Sequence, residues 1–285
     1  MSEFFFVSDL HGRTDRFQKL FRAVEAARPE AVFIGGDILP LSFTRSPDVV
    51  HEDFIRGYLM NQLLDLRREL GDAYPEVFLI MGNDDPRLDE AAFLEVEAER
   101  VWVYLHDRRV EFKGFSMYGY SCVPPTPFLL KDWERYDVSR YVDPGCLSPE
   151  EGIRSVPVPD DEKRYATIQK DLARLAGADD MDRAIFLFHA PPYNTALDLA
   201  ALASKVIEHV PLDPHVGSIA IRRFIEARQP RLTLHGHIHE SARLSSSWRD
   251  AIGRTVCFSA AHDGQELALV RFDPDRLDSA TRELL

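Results

Sequence analysis

The feature that most constrains this chain is a pattern repeated along it: a short apolar run ending in glycine and in side chains able to ligate a metal ion. It first appears almost at the N-terminus, where Phe4-Phe5-Phe6-Val7-Ser8 leads into Asp9-Leu10-His11-Gly12. Four apolar residues, three of them aromatic, read as a short buried strand. Side chains alternate along a strand, so Asp9 and His11 are expected to leave its end on one face. A carboxylate beside an imidazole is a natural first half of a metal site. A single Asp-x-His carries little weight, because it arises by chance, and the case rests on its recurrence.

The recurrences come in order. Phe17, Leu20, Phe21 and Val24, at helical spacing behind a cap at Thr14 or Asp15, predict a helix that Pro29 stops. Ala31-Val32-Phe33-Ile34 then ends in Gly35-Gly36-Asp37. Strand, helix and strand with short links form a βαβ unit, which makes the strands parallel and sets Asp37 beside Asp9 and His11. After a predicted helix over Val49–Leu70, Val77–Met81 is a third apolar run, ending in Gly82-Asn83-Asp84-Asp85-Pro86. A helix is expected near Leu88–Glu97, with strands near Val101–Tyr104 and Phe115–Tyr120. A helix over Glu162–Ala176 leads to Ala184–Phe188, which ends at His189; helices over Leu199–Val210 and Gly217–Arg228 follow. Arg231–Leu234 then ends in His235-Gly236-His237-Ile238-His239. Three imidazoles in five residues after a strand have little structural purpose and a clear metal-binding one. Strands at Thr255–Ser259 and Glu266–Phe272 finish the pattern. In open α/β sheets such residues gather at the carboxyl ends of the strands.

At 285 residues, with 45% hydrophobic and 28% charged, the chain has the balance of a soluble globular protein. The net charge of −13 argues against non-specific binding to nucleic acid or anionic membranes. Three scattered cysteines without CxxC spacing argue against a disulfide framework or a thiolate zinc site. No basic-plus-apolar leader and no apolar run near ~18 residues is seen, so a cytoplasmic location is the expectation. One stretch stands apart. Ser121–Lys163 holds seven of the eighteen prolines, with Phe128, Trp133, Tyr136 and Tyr141 among Lys131, Arg135 and Arg140. Proline at that density forbids long regular elements. The stretch reads either as an ordered lid within one domain spanning 1–285 or as a satellite core.

The set Asp9-x-His11, Gly36-Asp37, Gly82-Asn83, His189, Gly236-His237-x-His239 resembles, in residue type and order, the calcineurin-like metallophosphoesterase superfamily. The resemblance implies an α/β fold of two packed mixed β-sheets flanked by helices, a four-layer αββα sandwich, with the active site at the strand ends. It also implies a metal-one set of Asp9, His11, Asp37 and His239, and a metal-two set of Asp37, Asn83, His189 and His237, with Asp37 as the bridge. Seven oxygen and nitrogen donors are too many for one ion and suffice for two sharing a carboxylate. The mixed donors suit Mn, Fe, Zn or Ni-type ions. The implied reaction is hydrolysis of a phosphoester by a metal-bridging hydroxide attacking phosphorus in line.

Two departures from the family bear on mechanism. Relatives commonly read Gly-Asn-His, the histidine acting on the leaving group; here Asp84 follows Asn83. A carboxylate beside two cations stays ionised and donates a proton poorly, which tilts the expectation toward a phosphodiester. Where relatives often have Asn-Pro-Gly-Ser, this chain has Ser259-Ala260-Ala261-His262-Asp263-Gly264; His262 either substitutes for the missing imidazole or is a surface-turn residue. Arg135, Arg140 and Tyr193 are the candidate substrate contacts. A phosphomonoesterase on a small molecule or phosphoprotein, a nuclease and a non-catalytic binding scaffold are the competing readings. The intact ligand set argues against the scaffold and the acidic balance against the nuclease.

Overall fold

The apolar runs become strands buried on both faces, and their alternation decides how they stack. The structure, a computed structural model, describes residues 2–41, 53–202, 206–207 and 209–285. In chain order the first half contains β1 (Phe4–Val7), α1 (Thr14–Ala27), β2 (Ala31–Gly35), α2 (Asn61–Leu70) and β3 (Glu76–Ile80). It continues with α3 (Glu90–Ala98), β4 (Val103–Tyr104), β5 (Arg108–Phe112) and β6 (Phe115–Tyr120). The second half holds α4 (Asp160–Tyr165), α5 (Ile168–Ala176), β7 (Ala184–Phe188), a ribbon of β8 (Val206–Ile207) and β9 (Val210–Pro211), and α6 (Ile219–Arg228). Then come β10 (Leu232–His235), α7 (Ser241–Ser245), β11 (Arg249–Ile252), β12 (Thr255–Ser259), β13 (Ala268–Phe272) and β14 (Thr281–Leu284).

Two six-stranded sheets form, in the orders β14-β13-β1-β2-β3-β4 and β11-β12-β10-β7-β6-β5. β1 to β4 are parallel, and so are β6, β7, β10 and β12. Along β1, Phe4 and Phe6 enter the core shared by the sheets, with Phe33, Phe78, Leu187 and Leu234. Phe5 and Val7 point the other way, to pack with Phe17, Leu20 and Val24 of α1. Parallel sheets need this double cover, which is why their strands read as unbroken apolar runs. The two-sheet α/β sandwich expected from the resemblance is therefore the architecture found, and every run that ends in candidate ligands belongs to a parallel block. No helix among the described residues is long and apolar enough to cross a membrane.

Several local expectations need correction. Among the described residues of Leu199–Val210 no helix forms; Ala200 N instead donates to Pro214 O, Val216 N donates to Asp198 O, and β8 pairs with β9. Buried Asp198 accepts from the amides of Asn194, Thr195 and Gly217 and from His215 Nδ1, so one carboxylate closes the loop that periodicity assigned to a helix. The helix expected from Val49 begins, among the described residues, as a π-helix over Asp53–Met60 and continues as α2; residues 49–52 lie outside the description. The helix over Glu162–Ala176 breaks between α4 and α5, where Thr167 accepts from Lys170 N and caps a fresh start. At α1 it is Arg13 that occupies the cap position, and its side chain, paired with Asp15, makes no capping bond to the backbone. Edge strands β5, β11 and β14 were not anticipated.

Candidate metal centre

The ligand residues stand just past the strands, and their backbone does what strand alternation was expected to do. β1 ends at Val7, and Asp9 (φ 57°), His11 (φ 46°), Asp37 (φ 49°) and His237 (φ 71°) all adopt the left-handed conformation. Each such residue costs on the order of 1 kcal/mol or more, a strain found where surrounding structure over-determines the backbone. Here the surroundings do so: Asp9 N donates to Gly36 O at 3.1 Å, His11 N to Asp37 O at 2.8 Å and Gly12 N to Ile38 O at 2.8 Å. The two turns are laced together, and Asp9 and His11 are placed by that lacing rather than by alternation.

The glycines of the pattern are explained by close approach. A Cβ on Gly82 would lie 2.3 Å from Asp37 Oδ1 and 2.7 Å from His189 Cε1. A Cβ on Gly236 would lie 2.0 Å from Ser8 Oγ and 2.7 Å from Asp9 Oδ2. Any side chain there would displace a ligand, so glycine beside ligand is one steric requirement met twice.

Asp9, His11, Asp37 and His239 offer donor atoms that all lie within 4.8 Å of one another. His11 Nε2 is 3.2 Å from His239 Nε2 and 3.8 Å from Asp37 Oδ2, and His239 Nε2 is 3.3 Å from Asp9 Oδ1. Donors about 2.1 Å from one ion in a tetrahedron stand roughly 3.4 Å apart, so these spacings fit a cation. Beside this group, His189 Nε2 lies 3.3 Å from Asp37 Oδ2 and 3.0 Å from Asn83 Oδ1, with the His237 ring centred 5.1 Å from the His189 ring. His189 Nδ1 lies 2.8 Å from Gly35 O, a contact that aims Nε2 at Asp37. Asp37 thus belongs to both groups, and its Oδ1 also accepts from Asp84 N at 2.9 Å.

The charges agree with the geometry. Burial pushes Asp9 up, but the hydrogen bond and charge of His239, with His189, outweigh it and hold the carboxyl at about 2. Asp37 is likewise held far below the ordinary range, as His189 and His11 overcome burial. Burial opposes protonation of His189 and His239, yet Asp37 raises the first to about 10 and Asp9 the second to about 9. Without metal, protons on these imidazoles supply the positive charge the carboxylates demand. Burial and Asp37 push Asp84 up to about 7.

Of the other sequence candidates, Asp84 enters the cluster, with Oδ1 accepting from Asn83 Nδ2 at 3.0 Å and Oδ2 3.9 Å from His11 Nδ1. His262 Nε2 lies 3.1 Å from Glu266 Oε2, outside the ligand set. Arg135 pairs with Glu162 and Asp171, and Arg140 with Glu150. Tyr193 donates to Asp213 Oδ2 at 2.6 Å. Asp85 was missed as a functional position. Fully buried, it accepts from Gly82 N, Ile38 N and Leu39 N, fastening the Asn83 turn to the Asp37 turn. The doubled acid before Pro86 was its only sequence signal.

Fold and site together define a class: a two-sheet α/β sandwich with an oxygen- and nitrogen-donor cluster at its strand ends. The chain belongs to the calcineurin-like phosphoesterase family, whose pattern matches residues 3–241. Among solved structures, the crystal structure of TT1561 of Thermus thermophilus is similar, with a TM-score of 0.56, 16% identity, and coverage of 99% of this chain and 98% of that one. Another crystal structure reaches a TM-score of 0.58 at 17% identity, with the same coverage. At those identities the likeness speaks to fold alone. No curated protein matches the sequence.

Proposed function

We propose that this chain hydrolyses a phosphoester, a diester in preference to a monoester, with two divalent ions as cofactors. The observation that carries the reading is the pair of donor groups meeting at Asp37, reached by turns from five separate strands. Asp9, His11, Asp37 and His239 would hold one ion, and Asp37, Asn83, His189 and His237 the other. Ions held by these residues would supply Lewis-acid polarisation of a phosphoryl oxygen and activation of water near neutral pH.

The rest falls to the chain. Asp9 and Asp37 stay ionised and leave about two surplus positive charges against two dications, matched to a phosphate ester. Gly35 O on His189 Nδ1 and the Asp85 carboxylate on three amides keep the donors from turning away. Asp84 occupies the place where a protonating imidazole is common. Next to cations its carboxyl ionises and cannot protonate a leaving group, which favours esters whose leaving groups depart unaided.

The test is a screen of chelator-stripped protein, reconstituted with Mn, Ni or Zn, against aryl phosphate monoesters and diesters. Metal-dependent turnover with the diester ahead is expected. A monoester preference would overturn the diester assignment, and two bound ions with no turnover would move the reading to a binding scaffold.

A further inference from the structure

Arg16 is a buried cation that makes no ion pair among the described residues. It is 5% exposed, and its guanidinium spends two donors on neutral backbone carbonyls. Nη1 donates to Asp9 O at 2.7 Å and Nη2 to Gly264 O at 2.7 Å, while Nε has no hydrogen-bond partner among the described residues. Burying a charge without a direct ion-pair partner is expensive; burial lowers the pKa of this guanidinium even though the Asp9, Asp15 and Glu266 carboxylates favour its charge. A neutral donor would satisfy either carbonyl at lower cost. What the guanidinium offers beyond that is a planar fork, able to hold two acceptors at once in a fixed relation.

The acceptors lie far apart in sequence. Asp9 stands in the strained turn after β1, with its amide fixed by Gly36 O and its carboxylate by His237 N at 3.0 Å. Its carbonyl is the remaining backbone group of that residue, and Arg16 is its partner. Gly264 lies in the loop between β12 and β13 that also carries His262. We infer that Arg16 is a positioning residue of the metal centre, clamping the Asp9 turn to the 260–266 loop so that Asp9 and His11 stand ready for an ion. The inference rests on the reading that these residues hold a metal.

The sign of the effect separates this role from its alternatives. A nearby positive charge repels a metal ion, so if Arg16 acted through charge alone its removal would tighten binding. If it positions the turn, removal weakens binding, on the scale of the ~10–100-fold that outer-shell partners contribute. Lysine keeps the charge and loses the fork, so Arg16→Lys should fall between wild type and Arg16→Met.

The experiment is titration calorimetry of Mn into chelator-stripped wild type, Arg16→Met and Arg16→Lys, with melting temperature measured with and without Mn. The expected result is two sites in the wild type, a loss of roughly tenfold or more at one of them in Arg16→Met, and partial recovery in Arg16→Lys. The Mn-induced rise in melting temperature should shrink in the same order. Unchanged or tighter binding in Arg16→Met overturns the inference, as does a lower metal-free melting temperature with unchanged affinity. If Arg16→Met does not fold, Arg16→Lys decides alone, with wild-type affinity overturning the role. Failure of the wild type to bind Mn would sink the metal reading itself, a separate outcome.

Discussion

The ligand turns and the proline-rich stretch from Ser121 to Lys163 are ordered by different balances of backbone and side-chain bonds. The turns are short, strained and set by backbone: left-handed residues, glycines pressed against ligands, and amides laced across neighbouring strands. The proline-rich stretch has no helix or strand before α4; isolated backbone bonds such as Val123 N to Trp133 O and Lys131 N to Ile153 O fold it on itself, and side chains fasten it to its surroundings. Trp133 Nε1 donates to Asp85 O at 2.8 Å, and Asp132 accepts from Arg87 N at 2.8 Å, tying it to the Asn83 turn. Asp137 accepts from Ile219 N and Ala220 N, capping α6 from 82 and 83 residues away in sequence. Inside it, Lys131 and Glu134 form a fully buried pair at 2.6 Å. Of its aromatics, Trp133 and Tyr136 are buried, whereas Phe128 and Tyr141 are exposed. The stretch joins the helix-side core through Val123 and Trp133 and leaves Phe128 and Tyr141 on the surface. Backbone amides lace the ligand turns to one another, with the Asp85 carboxylate added, whereas the ties from the proline-rich stretch to the Asn83 turn and to α6 come from side chains.

That contrast predicts where mutations act. Asp37→Asn should have the largest effect, releasing most bound metal and abolishing turnover, because one carboxylate serves both donor groups; the loss should exceed the ~10–100-fold of an outer-shell change. Metal analysis of purified protein checks it, and two retained ions would contradict the shared role. Asp84→His should raise monoester turnover within the ~10²–10⁴ that a positioned general acid supplies, and flatten the dependence of kcat/KM on leaving-group pKa. If the wild-type slope is already shallow, another group donates the proton, and His262→Ala should steepen it. Asn83→Ala should bring metal content near one ion per chain, since an uncharged amide oxygen is the weakest donor of its group.

On the other side of the comparison, Trp133→Phe should cost about 1–3 kcal/mol in denaturant unfolding, because it orphans the Asp85 carbonyl, while both ions remain bound. Loss of metal from this variant would mean that the stretch also holds the donors of the centre in place.

The smallest effect expected is one of pH. His106 and His235 are kept neutral by burial, at about 3 and about 4 against the ordinary 6.5, so their contribution to stability is complete above 6.5 and lost as pH falls. His189 and His239 are raised, so in metal-free protein their contribution is complete below 6.5 and lost as pH rises through about 9 to 10. These four imidazoles make the metal-free melting temperature fall on both sides of 6.5, and Asp84, Asp85 and Glu134, raised by burial to about 7, add a loss as pH rises toward 7. Saturating Mn should remove the alkaline decline, since a bound ion takes the place of those protons. An alkaline decline that persists with metal would show that the imidazoles do not ligate.

The sequence by itself determined the buried parallel strands, the family and the candidate ligands, because each is written locally: an apolar run, a glycine, a donor, within a few residues. It also placed the irregular stretch correctly between β6 and α4 from its prolines. It did not determine the edge strands β5, β11 and β14, whose half-exposed residues carry no strong period. Nor did it foresee the loop that Asp198 closes in place of a helix. The roles of Asp85, Arg16 and Asp137 could not be read from the sequence for the same reason. Each acts on backbone groups distant in the chain, and a hydrogen bond across 47, 248 or 83 residues leaves no trace in its neighbours' spacing. Which residues can ligate is a property of side chains, fixed by sequence; the left-handed turns that aim them exist only once both strands and their crosslinks are in place.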